Sequence, residues 1–414
     1  MRYMFVAAAA ILHAACSESP EATPSGVEVT DSAGTRIVTS PPADVVFAEL
    51  APEPALSIGL LDGPEELLFG DIESVARDAR GNVIVADGQA LEIRVFGPDG
   101  GWLRSLGREG EAPGEFLDLT GAWVLSDGGI LALDYRLDRI TRFGAKDASV
   151  RTATFSNPED LIVLPVGLGG TGAVMSRASF FSYRNPFGRT VTGSLEEIME
   201  SMFGYEDQRL LFLRHRFDGT LIDTVAEGID QSRAVLSSER GPDVVEMVAV
   251  PFSPRSIARG SAHGVAFTNG ATYEIRVFDD AGDLRLIARL DEAPPVRTDQ
   301  HLETYVRNPG GRQRDEAWVR ERLGQYRSLE LPESLPAYTL VLFADTGDLW
   351  ARRYRMRGES MDRWDVFAAD GVHLGRTMVP ASFRIEEISR GQVVGIATDE
   401  LGVERVEVRD LSFE

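Results

Sequence analysis

An aspartate that ends a buried strand at position 87 recurs at 134, and a phenylalanine that ends the next strand at 96 recurs at 143, so both landmarks return after 47 residues. Around the first pair the chain reads as four short strands. Ile72 to Asp78 alternates loosely and stops at Asp78-Ala79-Arg80-Gly81-Asn82. Val83 to Asp87 is β-branched and apolar, and Leu91 to Phe96 alternates at period two. Pro98-Asp99-Gly100-Gly101 makes a tight turn into Trp102 to Leu106. Short alternating runs joined by Gly/Asp turns form an antiparallel meander. A four-stranded unit with a period of 40 to 50 residues is a propeller blade, and such units bury their faces only against one another.

Degenerate copies follow. Gly264 to Phe267 and Tyr273 to Phe278 repeat the first unit, and both carry Glu-Ile-Arg-Val-Phe. Leu340 to Phe343, Leu349 to Ala351 and Trp364 to Phe367 form another, and Leu210 to Val225 supplies a strand, turn and strand. The last unit, Phe383 to Ile388, Val393 to Ala397 and Val403 to Val408, has three strands, while Leu56-Ser57-Ile58-Gly59 stands unassigned before the first. The expectation is an all-β, six-bladed β-propeller of four-stranded antiparallel blades, starting near residues 71, 119, 157, 255, 337 and 382. The N-terminal strand completes the last blade and removes two open sheet edges. Two helical insertions, 194–203 and 314–323, lie in long excursions at 177–208 and 293–335, lengths that suit capping or binding.

The N-terminus opens with Arg2, an apolar run from Met4 to Leu12, and then His13-Ala14-Ala15-Cys16, which reads as an export signal too short to span a bilayer. Cys16 is the single cysteine, so no disulfide can form within the chain. The stretch before it resembles a bacterial lipoprotein signal, with His13 where an aliphatic residue is usual. That resemblance makes Cys16 the lipidation site and implies a lipid anchor in the outer membrane facing the periplasm. The expected organisation is a signal peptide at 1–15, a tether and extension at 16–40, and one propeller domain at 41–414.

Sixty-five acidic residues against 42 Lys plus Arg give a net charge of −23, which repels nucleic acid. Asp78 to Asp87, together with Ile93-Arg94-Val95-Phe96-Gly97-Pro98-Asp99-Gly100, resembles the six-bladed propellers related to the NHL-repeat family. Asp399 to Val408 is similar to the closing strands of a group of bacterial lipoproteins. Propellers of that relationship include metal-dependent lyases and lactonase-like hydrolases, with metals in the central channel.

The chemistry in this chain is sparse. His215, His263, His301 and His373 are too few and too scattered for a zinc site. Asp87, Asp134, Asn269 and Asp399 each end a second strand. They could share calcium at one mouth of the ring, or simply close their turns, which is the commoner role of such residues. No cofactor is expected, and calcium is the one that these residues could hold. No Gly-x-Ser-x-Gly, phosphate loop or His-Glu-x-x-His is present. Tyr135-Arg136 and Arg353-Tyr354 occupy the loops between second and third strands, where guanidinium and flat rings could grip an acidic ligand. The aromatic residues Tyr183, Phe187, Phe203 and Tyr205 fall in the first excursion. The leading expectation is a non-catalytic binding or scaffold protein of the cell envelope, recognising a small molecule, peptide or envelope protein at that mouth. The alternative is a metal-dependent lyase or hydrolase acting in the channel.

Overall fold

The structure, a computed structural model, describes residues 25–145, 149–155, 162–170, 172–179, 209–238, 241–307, 314–389 and 391–413. Six four-stranded antiparallel blades follow one another along the chain. Their innermost strands are Ile72–Arg77, Leu119–Val124, Ile162–Leu168, Ile257–Ser261, Tyr338–Phe343 and Phe383–Ser389. Each innermost strand contacts the next, and the sixth returns to the first, so the ring is closed.

The apolar core lies between blades rather than within them. Ile84, Ala86 and Val95 of blade 1 meet Leu119, Ala122 and Ile130 of blade 2. Tyr273, Val277 and Leu286 of blade 4 meet Tyr338, Val341 and Phe367 of blade 5. Trp350 and Trp364 of blade 5 are fully buried in the cluster shared with Phe383, Ile385 and Val393 of blade 6. Period-two alternation in each strand gives two apolar faces, and only a ring supplies both with a neighbour. Where blade 4 comes closest to blade 3 there is no room for a side chain. A Cβ on Gly260 would stand 2.0 Å from the carbonyl oxygen of Leu168.

Blade 6 is closed as the sequence predicts. Leu56–Ile58 pairs antiparallel with Val406–Val408 of its third strand, Glu404–Phe413. Ile58, 2% exposed, joins Val394, Val406 and Val408 against Ile72, Val83 and Phe96 of blade 1. A second segment, Ala48–Leu50, pairs with Leu411–Phe413 beyond it.

The preceding residues do more than a tether would. Thr35–Ser40 runs parallel to the outermost strand of blade 4, Leu284–Leu290, and Glu28–Ser32 pairs outside it. Val46 then bridges Arg376 of blade 5. Residues 28–58 therefore form a belt along the outer edges of blades 4, 5 and 6, satisfying N–H and C=O groups that would otherwise be bare.

Two features flank one mouth of the ring. Arg233–Ser238 and Gly241–Ala249 form a two-stranded hairpin between blades 3 and 4. Between blades 4 and 5 stand helix α1, Asp299–Arg307, and helix α2, Glu316–Arg327, where the sequence analysis places one helix at 314–323. Asp315 caps α2 by accepting the Trp318 N–H at 2.8 Å. Leu302, Val306, Val319 and Leu323 bury against Leu236 and Phe252, locking the helices onto the rim. The helix expected at 194–203, the aromatic residues Tyr183, Phe187, Phe203 and Tyr205, and Cys16 all lie outside the described residues.

Candidate functional site: an arginine-lined channel mouth

The four residues proposed for calcium close turns. Asp87 is fully buried, and its Oδ1 accepts the N–H groups of Gln89 and Ala90 while Oδ2 accepts that of Gly70. Asp134, 47 residues on, repeats the role: Oδ1 accepts from Leu137, and Oδ2 from Leu117 and Asp118. Asn269 Oδ1 accepts from Ala271 and Thr272. Asp399 accepts from Leu401 and Val403 and pairs with Arg405 at 2.8 Å. The repeated landmark thus marks a backbone staple, pinning the end of a second strand to the loop that enters its own blade. Among the described residues no three His, Cys, Asp or Glu side chains gather as a metal site requires. His215 packs edge-on to Phe155 in blade 3, and His373 lies in blade 5 with Nδ1 accepting from Ala43 of the belt.

The recognition residues separate into two kinds. Arg136 is exposed, and Tyr135 is 39% exposed beside it on the rim of blade 2. Arg353 is 8% exposed and committed inward. Its Nε donates to Asp365 at 2.6 Å, Nη1 and Nη2 donate to Glu292 at 2.9 and 2.7 Å, and the guanidinium lies 4.2 Å from the Tyr273 ring centre. The Tyr338 hydroxyl also donates to Asp365, at 3.0 Å. Burial works to raise the Asp365 carboxyl, but His373 and Arg353 outweigh it and hold it below its usual range. This is an internal ion network whose donors are spent. Tyr354 is half-buried against Phe252, and burial pushes its hydroxyl up to about 12.

The same mouth carries a cavity of about 320 Å³ built from three blades. Arg177, on the second strand of blade 3, and Arg259, on the innermost strand of blade 4, line it beside Ser256, Thr339, Tyr338 and Tyr354. Both arginines are half-buried, and among the described residues neither has a carboxylate within ion-pair distance. The single described side-chain hydrogen bond of Arg259 runs to its neighbour's carbonyl, Ala258, at 3.2 Å. Burial lowers the pKa of both. For Arg259, Glu386 opposes the fall while Arg177, Arg352 and Arg384 deepen it; for Arg177, Asp230 opposes it. Arg352 donates to Thr339 Oγ1 at 3.2 Å and stands 3.7 Å from Asp362.

Two carboxyls, Glu386 and Glu73, stand on the innermost strands of blades 6 and 1. Glu386 of blade 6 pairs with Arg384 at 2.9 Å and keeps 23% of its side chain exposed. Burial pushes its carboxyl up to about 7, against the pull of Arg384 and Arg259 and with Glu73 of blade 1 adding to the rise. Glu73 is raised as well, by burial first and then by Asp71. Glu386 and Arg259 stand on the innermost strands of blades 6 and 4.

Of the four residues expected to recognise a ligand, Tyr354 lines this cavity, whereas Arg353 is committed to Asp365 and Glu292 and Tyr135 and Arg136 stand on the rim of blade 2. Arg177, Arg259 and Arg384 sit within strands, where alternation gives no sign of which way a side chain faces a channel. An arginine inside a short strand, as in Ala173–Ser179, Ile257–Ser261 and Phe383–Ser389, was the available signal.

The family DUF5128, described as a 6-bladed beta-propeller, matches residues 59–157. A comparison with curated proteins found no match. Among solved structures the chain is similar to a putative exported protein from Bacteroides fragilis, at 11% identity, TM-score 0.47, covering 91% of this chain and 99% of that one. It is also similar to a member of the DUF4221 family from Bacteroides vulgatus, at 10% identity, TM-score 0.48, covering 89% and 99%. A streptogramin B lyase aligns at 10% identity, TM-score 0.39, covering 87% of this chain and 97% of the lyase. No activity is carried across likenesses of that depth. The six interlocked blades and the match over blades 1 and 2 make this chain a six-bladed β-propeller.

Proposed function

We propose that the protein is a binding protein of the cell envelope that holds a small anionic molecule at the channel mouth between blades 3, 4 and 5. The observation that carries this is the pair Arg177 and Arg259, half-buried, lining a cavity of about 320 Å³ and without ion-pair partners among the described residues. In a chain of net charge −23 with 65 acids, two half-buried arginines with no carboxylate in ion-pair contact among the described residues do little for stability alone. Guanidinium groups in a partly dehydrated cavity bind carboxylate or phosphate through paired, charge-assisted hydrogen bonds. The charged start, apolar run and Ala14-Ala15-Cys16 support export and a lipid anchor on Cys16.

The test is calorimetric titration of the protein with acetate, succinate and inorganic phosphate, at low and high salt. Binding of at least one anion is expected, with at least a tenfold loss in the Arg177→Gln/Arg259→Gln double variant. No binding by the wild type, or equal binding by the double variant, refutes the site. Labelling with radioactive palmitate tests the anchor. Incorporation should vanish in Cys16→Ala, and label retained in that variant excludes the cysteine.

A further inference from the structure

The anion cavity has a neighbour. Pro336 and Tyr354 line it, and the same two residues line a second cavity of about 600 Å³ against blade 5, so the two chambers adjoin along that pair. The second chamber is walled by Tyr273 of blade 4, by Pro295 and Leu335 of the excursion that carries α1 and α2, and by Met361 and Met378 of blade 5. The excursion is pinned there, where the Leu335 N–H donates to the Pro295 carbonyl at 2.9 Å. Met378 stands opposite Arg363 across its strand pair, and Met361 lies two residues before Arg363, so the three side chains share one face of the blade.

The chambers differ in what they leave unsatisfied. In the first, Arg177 and Arg259 have no carboxylate in ion-pair contact among the described residues. In the second, each charged group already has a partner. Arg353 holds Glu292 and Asp365, Arg355 donates to Asp362 at 2.7 Å, Arg363 stands 3.7 Å from Asp365, and Glu359 accepts the Met356 N–H at 3.0 Å. What stays open there is apolar, since Met361 and Met378 are each 39% exposed. Unbranched thioether side chains adapt their shape to the apolar surface they meet.

We propose that the ligand is an amphipathic monoanion, a straight-chain carboxylate whose head sits on Arg177 and Arg259 and whose apolar chain crosses Tyr354 and Pro336 into the methionine-lined chamber. This rests on the anion-site reading above and adds the tail that the head carries. A short anion fills the first chamber and leaves the methionines in water. A dianion brings its second charge beside Glu359, among arginines that already have carboxylate partners. An alkyl chain removes its own apolar surface and that of Met361 and Met378 from water, and each methylene buried tightens binding about fourfold.

The experiment is calorimetric titration of the purified protein with butyrate, hexanoate and octanoate, and with suberate, the dicarboxylate of the same length as octanoate. Affinity should rise with chain length, octanoate binding at least tenfold tighter than butyrate and tighter than suberate. Met361→Gln/Met378→Gln should remove most of that rise while leaving butyrate unchanged, and Arg177→Gln/Arg259→Gln should weaken every member of the series. If butyrate binds and octanoate binds no tighter, or the methionine variant keeps the full rise, the tail assignment fails and the anion site stands. Suberate binding as tightly as octanoate would show that the second chamber takes charge, which overturns the monoanion. If no carboxylate binds, or the arginine variant binds all of them as wild type does, both readings fail together.

Discussion

Glu386 should make the folded ring less stable above neutral pH, and replacing it with glutamine should remove that penalty. Its carboxyl rises from an ordinary 4.5 to about 7 because burial in the channel outweighs the attraction of Arg384 at 2.9 Å and of Arg259. Between those two values the folded protein holds a proton that the unfolded chain releases. Stability is therefore fully present below pH 4.5, declines as pH rises, and levels off above about 7. At about 1.4 kcal/mol for each tenfold change in proton affinity, the total is about 3 kcal/mol. Unfolding entropy for a chain of this size is roughly 0.8 kcal/mol per degree, so the shift in melting temperature is about 4 °C. Glutamine resembles the protonated acid in shape and in lacking charge. Differential scanning calorimetry of wild type and Glu386→Gln from pH 4 to pH 8.5 should show equal melting temperatures at the acidic end. The variant should melt higher by about 4 °C at the alkaline end. A constant difference across the range would refute the reasoning. A wild type more stable at pH 8.5 would show that the arginines, and not burial, dominate at this carboxylate.

Deleting residues 46–58 removes both segments that cover the outer edge of blade 6, so the truncated protein should aggregate in light scattering; a monomer melting like the full chain would defeat the closure scheme. Arg353→Met removes the 2.6 Å guanidinium contact of buried Asp365, leaving it the Tyr338 hydroxyl with Arg363 and His373 farther off at 3.7 and 3.8 Å, and leaves Glu292 without its bidentate partner. A loss of about 3–5 kcal/mol is expected in denaturant titration, and a change under about 1 kcal/mol would mean the network contributes little to stability.

Much of the architecture was legible because blades are local. Four strands joined by tight turns lie within 40 to 50 residues, so alternation and Gly/Asp turns are enough to find them, and the innermost strands begin close to the expected positions. The Asp87 and Asp134 landmarks were legible for the same reason, since each closes a loop only a few residues away. The missing fourth strand of blade 6 could be inferred across the whole chain because a ring has to close. The parallel pairing of Thr35–Ser40 with blade 4 could not be inferred, because its partner lies about 250 residues away and needs no turn to mark it. Helix α1 was missed although Leu302 and Val306 stand one turn apart, a spacing too brief to separate from loop.

Local sequence determined that strands form, where they turn and how many blades there are, because those depend on neighbours in the chain. Tertiary structure alone decided which arginines are spent and which remain available. Arg353 and Arg352 are adjacent in sequence, yet one is locked between Glu292 and Asp365 while the other turns to Thr339 and Asp362, and Arg259 has no ion-pair partner among the described residues. Arg259 and Glu386 are 127 positions apart, yet the fold brings them near enough for each to shift the other's pKa. Charge pairing depends on distances of a few ångströms between blades, and those distances are set by the packing of the apolar faces that close the ring.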